Sequence, residues 1–206
     1  MLRRWLGPLL AVFILGGVGA ILLTNLEWRP SAPRPVSASS GTDSSSKPRL
    51  SAAGFREYPI GEEQEQNQLR VRAVWLPSVE VDGMKVLTGT DVIHLEADIH
   101  ATRGNPMGLD EFVPYLVVTY TIKPVSGGPA LTGPMEPMVA SDGLHYGASI
   151  RMPGPGHYRL SYHIEPPSKG GLGRHSDPIT GVPPWWAPFD LTFDWNYEGL
   201  PATSQP

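Results

Sequence analysis

Cysteine is absent from all 206 residues, which excludes disulfide staples, four-Cys zinc sites, iron–sulfur clusters and a blue-copper centre, because each needs a thiol sulfur. The same absence leaves the redox compartment open. No Gly-x-Ser-x-Gly elbow, phosphate loop or His-Glu-x-x-His helix occurs, so hydrolysis is not expected. Paired acids such as Glu62-Glu63 and Asp110-Glu111 have no apolar surroundings in sequence and read as solvated turns rather than general acids. Charge is sparse, at 17% of residues, and it is unevenly spread. Residues 1–54 carry six Lys/Arg against two Asp/Glu, whereas residues 55–206 carry ten against eighteen. An acidic domain cannot neutralise phosphates, so nucleic acid is not an expected partner, while cations are drawn to such a surface.

The chain does have turn formers in abundance, with 23 Gly and 23 Pro. Both break helices, so many short elements joined by turns are expected, and the fold class is read as all-β. One long apolar run stands out. Arg3-Arg4 precede 22 uncharged residues from Trp5 to Leu26, about 33 Å as a helix and enough to cross a hydrocarbon core of about 30 Å. Residues 1–27 therefore read as an N-terminal membrane anchor or, cut near Val18-Gly19-Ala20, a signal peptide. Either one exports the remainder. Residues 28–54 are rich in Ser and Pro and poor in large apolar groups, as in a disordered tether. The folded domain is placed at 55–200, with a short tail at 201–206.

Within that domain, period-two alternation predicts strands at Arg70 to Leu76, Val92 to Ala101, Tyr115 to Lys123, Leu144 to Met152, His157 to Ile164 and Phe189 to Tyr197. Six or seven such strands suggest a β-sandwich. In the last one, Phe189, Leu191, Phe193, Trp195 and Tyr197 share a face and are assigned to the core. The strand Val92 to Ala101 puts Ile93, Leu95, Ala97 and Ile99 inward, so His94, Glu96, Asp98 and His100 share the outward face. At about 3.3 Å per residue, His94 and Glu96 stand roughly 6.6 Å apart, close enough to converge on one cation, while His100 lies too far from His94 to join them. Asp98 falls between as an acceptor for a ligating histidine.

Farther along, Met138 lies in a Pro-bounded loop, and His145 points outward between inward Leu144 and Tyr146. His175 sits in a Gly-rich loop free to fold over a site, and His157 and His163 read as surface residues. A His-x-Glu pair and a Met-x6-His pair are common in any chain. Taken singly, each of these residues reads first as a solvated His, a gap-filling Met or a solubilising Glu.

Four segments add a resemblance. His94-Leu-Glu96-Ala-Asp-Ile-His-Ala, Glu111-Phe-Val-Pro-Tyr-Leu-Val-Val-Thr-Tyr, Pro137-Met138-Val-Ala-Ser-Asp-Gly-Leu-His145-Tyr-Gly and Trp185-Trp-Ala-Pro-Phe occur in this order across roughly Glu57 to Tyr197. Together they resemble the periplasmic Fe2+ transport protein family (FetP-like). The resemblance implies an exported immunoglobulin-like β-sandwich that forms a homodimer, binds copper and serves iron uptake beside an inner-membrane iron permease. It implies His94, Met138, His145 and His175 as copper ligands, with Glu96 as an additional carboxylate ligand near the dimer interface. The chain departs from that pattern in its N-terminal apolar segment and tether, which allow a form anchored to the inner membrane.

Imidazole and thioether donors suit copper in either oxidation state, and a carboxylate suits Fe2+ or its surrogate Mn2+. The expected function is a non-enzymatic metal relay in the periplasm. Two alternatives remain open from the sequence: a copper-dependent iron oxidase or reductase using the same residues, and an immunoglobulin-like adhesion or scaffold module.

Overall fold

A computed structural model describes residues 49–50, 56–84 and 87–201. The expected apolar segment at 1–27, nearly all of the tether and the tail after residue 201 lie outside the described residues. The described part is all-β, with ten strands and no helix: β1 (Arg49–Leu50), β2 (Arg56–Pro59), β3 (Gln64–Gln66), β4 (Leu69–Pro77), β5 (Val92–Ala101), β6 (Val117–Pro124), β7 (Leu131–Ala140), β8 (Gly143–Arg151), β9 (Gly156–Glu165) and β10 (Phe189–Tyr197).

Every pairing is antiparallel, and hydrogen bonds connect the strands in the order β1-β2-β4-β5-β8-β7-β6-β9-β10, with β3 added to β4. The path folds into two layers because β7 changes partners midway. Residues 131–135 pair with β6 and residues 136–140 with β8. The sequence predicted a Pro-bounded loop here, and the structure corrects it to a strand. Each half of β7 pairs on one side only, and prolines are tolerated on a strand with a free edge. Pro134 and Pro137 therefore sit within β7 without interrupting it.

The inner faces of the layers make one core. Leu69, Val71 and Ala73 of β4 and Ile93, Leu95, Ala97 and Ile99 of β5 meet Leu160, Tyr162 and Ile164 of β9 and Leu191, Phe193, Trp195 and Tyr197 of β10, all buried. The aromatic assignment for the last strand holds from Leu191 to Tyr197, with Phe189 half-buried at its start. Trp75 bridges the layers, 6.4 Å from Trp195 and edge-on to Tyr197 at 5.1 Å. Tyr162 adds a polar link by donating its hydroxyl to the Glu96 carbonyl at 2.8 Å.

Two residues of β8 differ in their fate. Tyr146 is fully buried, but Leu144, predicted to point into the core, is 48% exposed, because it pairs with the still more exposed Val139 at the end of the β7–β8 hairpin. The Tyr146 hydroxyl donates to the Val113 carbonyl at 2.8 Å and accepts from the Leu116 N–H at 2.9 Å. These bonds hold the segment before β6 against the strand that carries His145. Tyr146→Phe strands both backbone groups in the core and is expected to lower stability by about 1–3 kcal/mol, read as a lower denaturant midpoint at unchanged m-value.

Candidate metal centre

On the outer face of β4, β5, β8 and β7, the register sets side chains in rows. His94 stands between Leu76 on β4 and Ser149 on β8, and Glu96 stands between Val74 and Gly147. Gly147 in turn faces Glu136 on β7, and His145 faces Met138. The centre of this lattice is thus a residue with no side chain. A methyl group at Gly147 would lie 2.8 Å from His94 Nε2 and 2.8 Å from Met138 Sδ, which shows that the imidazole and the thioether share the space above that backbone. Glycine within a strand often marks such a close approach.

His145 and Glu96 complete the group. The Glu96 Oε1 atom lies 3.5 Å from His94 Nε2 and 3.4 Å from His145 Nε2, and the two rings meet edge to face at 5.7 Å between centroids. One ligand atom from each of the three residues falls within 4.8 Å of the others. Alternation placed these side chains on the outward face, which is correct, but it implied an exposed site. The structure instead buries them, with His94 at 2%, Glu96 at 4% and His145 at 5% exposure. The cover is local: Val79, Glu80, Val81, Asp82 and Met84 from the segment after β4 line the same cleft of about 670 Å³.

Burial sets the charge state. Desolvation pushes His94 down to about 4, helped by repulsion from His145. Desolvation also lowers His145. Glu96 is pushed up to about 8, first by desolvation and then by repulsion from Asp98, Glu57 and Asp142, with Arg72 opposing. At neutral pH both imidazoles are uncharged and the carboxyl group is protonated. The contacts at 3.4 and 3.5 Å are therefore not ion pairs. His94 Nδ1 and His145 Nε2 are buried without a hydrogen-bond partner. Unpaired, uncharged nitrogens beside a thioether and a carboxyl group, gathered where a Cβ would clash, fit a transition-metal ion. Copper suits the His94, Met138 and His145 set, and a harder divalent ion draws more on Glu96.

Asp98 is not an acceptor for a ligating histidine. Its carboxylate accepts from Arg72, whose Nε lies at 2.8 Å, and Arg72 also reaches buried Glu57 at 3.2 Å. His100 bonds the Asp110 carbonyl, and His157 and His163 are exposed. His175 does not meet the other four within the chain. It is exposed, its Nδ1 is 2.7 Å from Thr180 Oγ1, and it lines neither cleft at the cluster. Sequence reasoning missed Gly147 and Met84, a second thioether beside His94 and Met138. The glycine next to His145 and Tyr146, inside a strand, was the available signal.

Comparison with known proteins identifies the family. The family described as Fe2+ transport protein matches residues 54–199. The chain belongs to that family. FetP from uropathogenic E. coli is 46% identical, with a TM-score of 0.68 over 72% of this chain and 100% of that one. The copper-reconstituted P19 protein of Campylobacter jejuni is 40% identical, with a TM-score of 0.67 over 71% of this chain and 99% of that one. A UPF0423 protein of Brucella abortus is 39% identical over 154 residues, 71% of this chain and 85% of the relative. For this member of the Fe2+ transport protein family, the immunoglobulin-like sandwich is the observed fold.

Two outcomes follow from the site. A ligand carboxyl held near pKa 8 must lose its proton to bind, so metal loading at pH 7 through Glu96 is expected to release about one proton per site. Affinity should rise as the pH approaches 8 and level off above it, and Glu96→Gln should remove the release, measured by calorimetry in buffers of different ionisation enthalpy. Gly147→Ala is expected to weaken copper binding by about tenfold or more, and an unchanged affinity in a chelator competition would contradict the cradle.

Proposed function

We propose that this chain is an exported, non-catalytic metal carrier. It holds copper through His94, Met138 and His145, uses Glu96 for Fe2+, and assists iron uptake by passing iron to an inner-membrane permease. The observation that carries the reading is the convergence of His94 Nε2 and Met138 Sδ over Gly147, with His145 and Glu96 buried beside them. Family membership supports it, as does the copper-reconstituted state of the P19 relative and the periplasmic expression of FetP. The Arg-headed apolar segment from Trp5 to Leu26 fits the same compartment, as a signal or as an anchor in the inner membrane.

His175 enters this proposal through a second copy. Val139 (74% exposed) and Leu144 (48% exposed) flank Met138 and His145, while Ile179 (93% exposed) shares the loop of His175. A homodimer that covers these apolar groups would bring the His175 loop of one copy to the cluster of the other, which the single chain does not do.

The test is a competition titration with copper(I) and, separately, Mn2+ on three proteins. His94→Ala with His145→Ala should lose both metals by about 100-fold or more. Met138→Leu, which keeps the volume, should weaken copper(I) and leave Mn2+ nearly unchanged. Metal binding that survives in the double variant would show that the centre is elsewhere, and sustained turnover in a ferrous oxidation assay would show an enzyme instead of a carrier.

A further inference from the structure

Residues 166–188 connect β9 to β10 without a strand or helix, yet around His175 the chain is closely tied. The His175 carbonyl accepts from the Val182 N–H at 3.0 Å, and the Asp177 carbonyl accepts from the Gly181 N–H at 2.9 Å. Arg174 closes the same turn, its Nη1 donating to the Val182 carbonyl at 3.0 Å. A methyl group at Gly181 would collide with the Asp177 backbone, so only glycine fits a turn this tight. Inside it, Asp177 Oδ1 accepts the Ile179 and Thr180 N–H groups at 3.0 and 2.9 Å, and Asp177 Oδ2 accepts the Thr180 hydroxyl at 2.5 Å. Thr180 Oγ1 in turn lies 2.7 Å from His175 Nδ1. The turn displays this exposed imidazole next to Ile179, which is 93% exposed.

The direction of these bonds fixes the place of a proton. A carboxylate only accepts, and a threonine hydroxyl has a single proton, which Asp177 takes. Thr180 Oγ1 is left as the acceptor towards His175, so Nδ1 carries the ring proton and the lone pair of the neutral imidazole lies on Nε2. We propose that Thr180 and Asp177 are positioning residues, which hold His175 in advance as an Nε2 donor for the copper centre of a second copy. The inference rests on the proposed arrangement in which the His175 loop of one copy meets His94, Met138 and His145 of the other, and it adds how that histidine arrives ready to bind. Metal-binding histidines take their tautomer and ring orientation from the hydrogen bond at the other nitrogen. Here the histidine's own loop supplies that bond before any metal or second copy is present. An imidazole on an exposed loop then has neither ring freedom to lose nor a proton to move as it binds, and removing such costs raises affinity. The same carboxylate that orients the hydroxyl also shapes the loop, because Asp177 holds two backbone N–H groups as well. Ile179, within the turn, gives the arm apolar surface to bury.

The experiment uses the full chain, metal-free, with isotopically labelled histidine and at a pH where histidine is neutral. Nitrogen–proton correlation NMR reads which ring nitrogen is protonated, and the His175 signals are identified by their loss in His175→Gln. The unaltered chain should show His175 protonated at Nδ1. Thr180→Val keeps the shape but removes the hydroxyl and should release that tautomer, whereas Thr180→Ser should retain it. Asp177→Asn presents an amide N–H to Thr180, which reverses the chain of donors and should move the proton to Nε2. In a chelator competition, Thr180→Val should weaken copper(I) binding by about tenfold, and Thr180→Ser should restore it. Thr180→Val should add no loss in a chain that already carries His175→Gln. Positions 175, 177 and 180 are exposed, so the sandwich is not disturbed by these changes. A His175 protonated at Nε2 in the unaltered chain, a tautomer unchanged in both Thr180→Val and Asp177→Asn, or a copper(I) affinity that depends on His175 but not on Thr180 would overturn this proposal alone. Copper(I) binding insensitive to His175→Gln would overturn the second-copy arrangement, and the proposal with it.

Discussion

Keeping two imidazoles and a carboxyl group out of water, with His145 Nε2 lacking any hydrogen-bond partner, costs roughly 1–3 kcal/mol for each unsatisfied group. The fold around them has to hold that arrangement in place. It does so with a core on the other face of the same strands, where Leu95, Ala97 and Tyr146 are fully buried. Tyr162 ties the opposite layer to the Glu96 carbonyl, and Tyr146 ties the segment before β6 to β8. The ligand-bearing positions are thus fixed by backbone and core, and their side chains have little freedom left to avoid one another.

Charge around the cluster is arranged in the same spirit. Arg72 sits between Asp98 and Glu57, and Glu57 is itself pushed up to about 7, with burial the largest cause and Arg72 opposing it. One guanidinium therefore compensates the acids on the β4 side, while Glu96 stays protonated and the histidines stay neutral. An arriving cation meets uncharged nitrogens and sulfur, and a carboxyl group that becomes an anion only when the metal takes the place of its proton. On the proposed reading, such a site would discriminate through donor softness and through the work of deprotonation.

Much of the fold was legible because half-buried strands alternate. β5 and β10 were bounded as observed, and β4, β8 and β9 to within a residue at each end. β7 was not legible, because Pro134 and Pro137 signal a loop unless one knows that the strand leaves one edge free in each half. Burial of the centre was missed for a related reason. Alternation assigns a side chain to a face but does not reveal what covers that face, and here residues 79–84 do. The unbroken apolar run Ala73-Val74-Trp75-Leu76 beside Val92-Ile93 was the sign that both faces are covered at this end. Its outward members Val74 and Leu76 are indeed buried beside Glu96 and His94. The ligand types were named from resemblance, since spacing alone could not choose among six His. His175, named in the same way, lies in an exposed loop against Thr180 and away from the cluster.

The central claim is that a metal ion sits in the space above Gly147. Anomalous scattering at the copper edge from a copper-loaded crystal tests it most directly. The account predicts a single strong peak within bonding distance of His94 Nε2, Met138 Sδ and His145. A peak that lies away from Gly147, or one that touches neither His94 nor Met138, would contradict it.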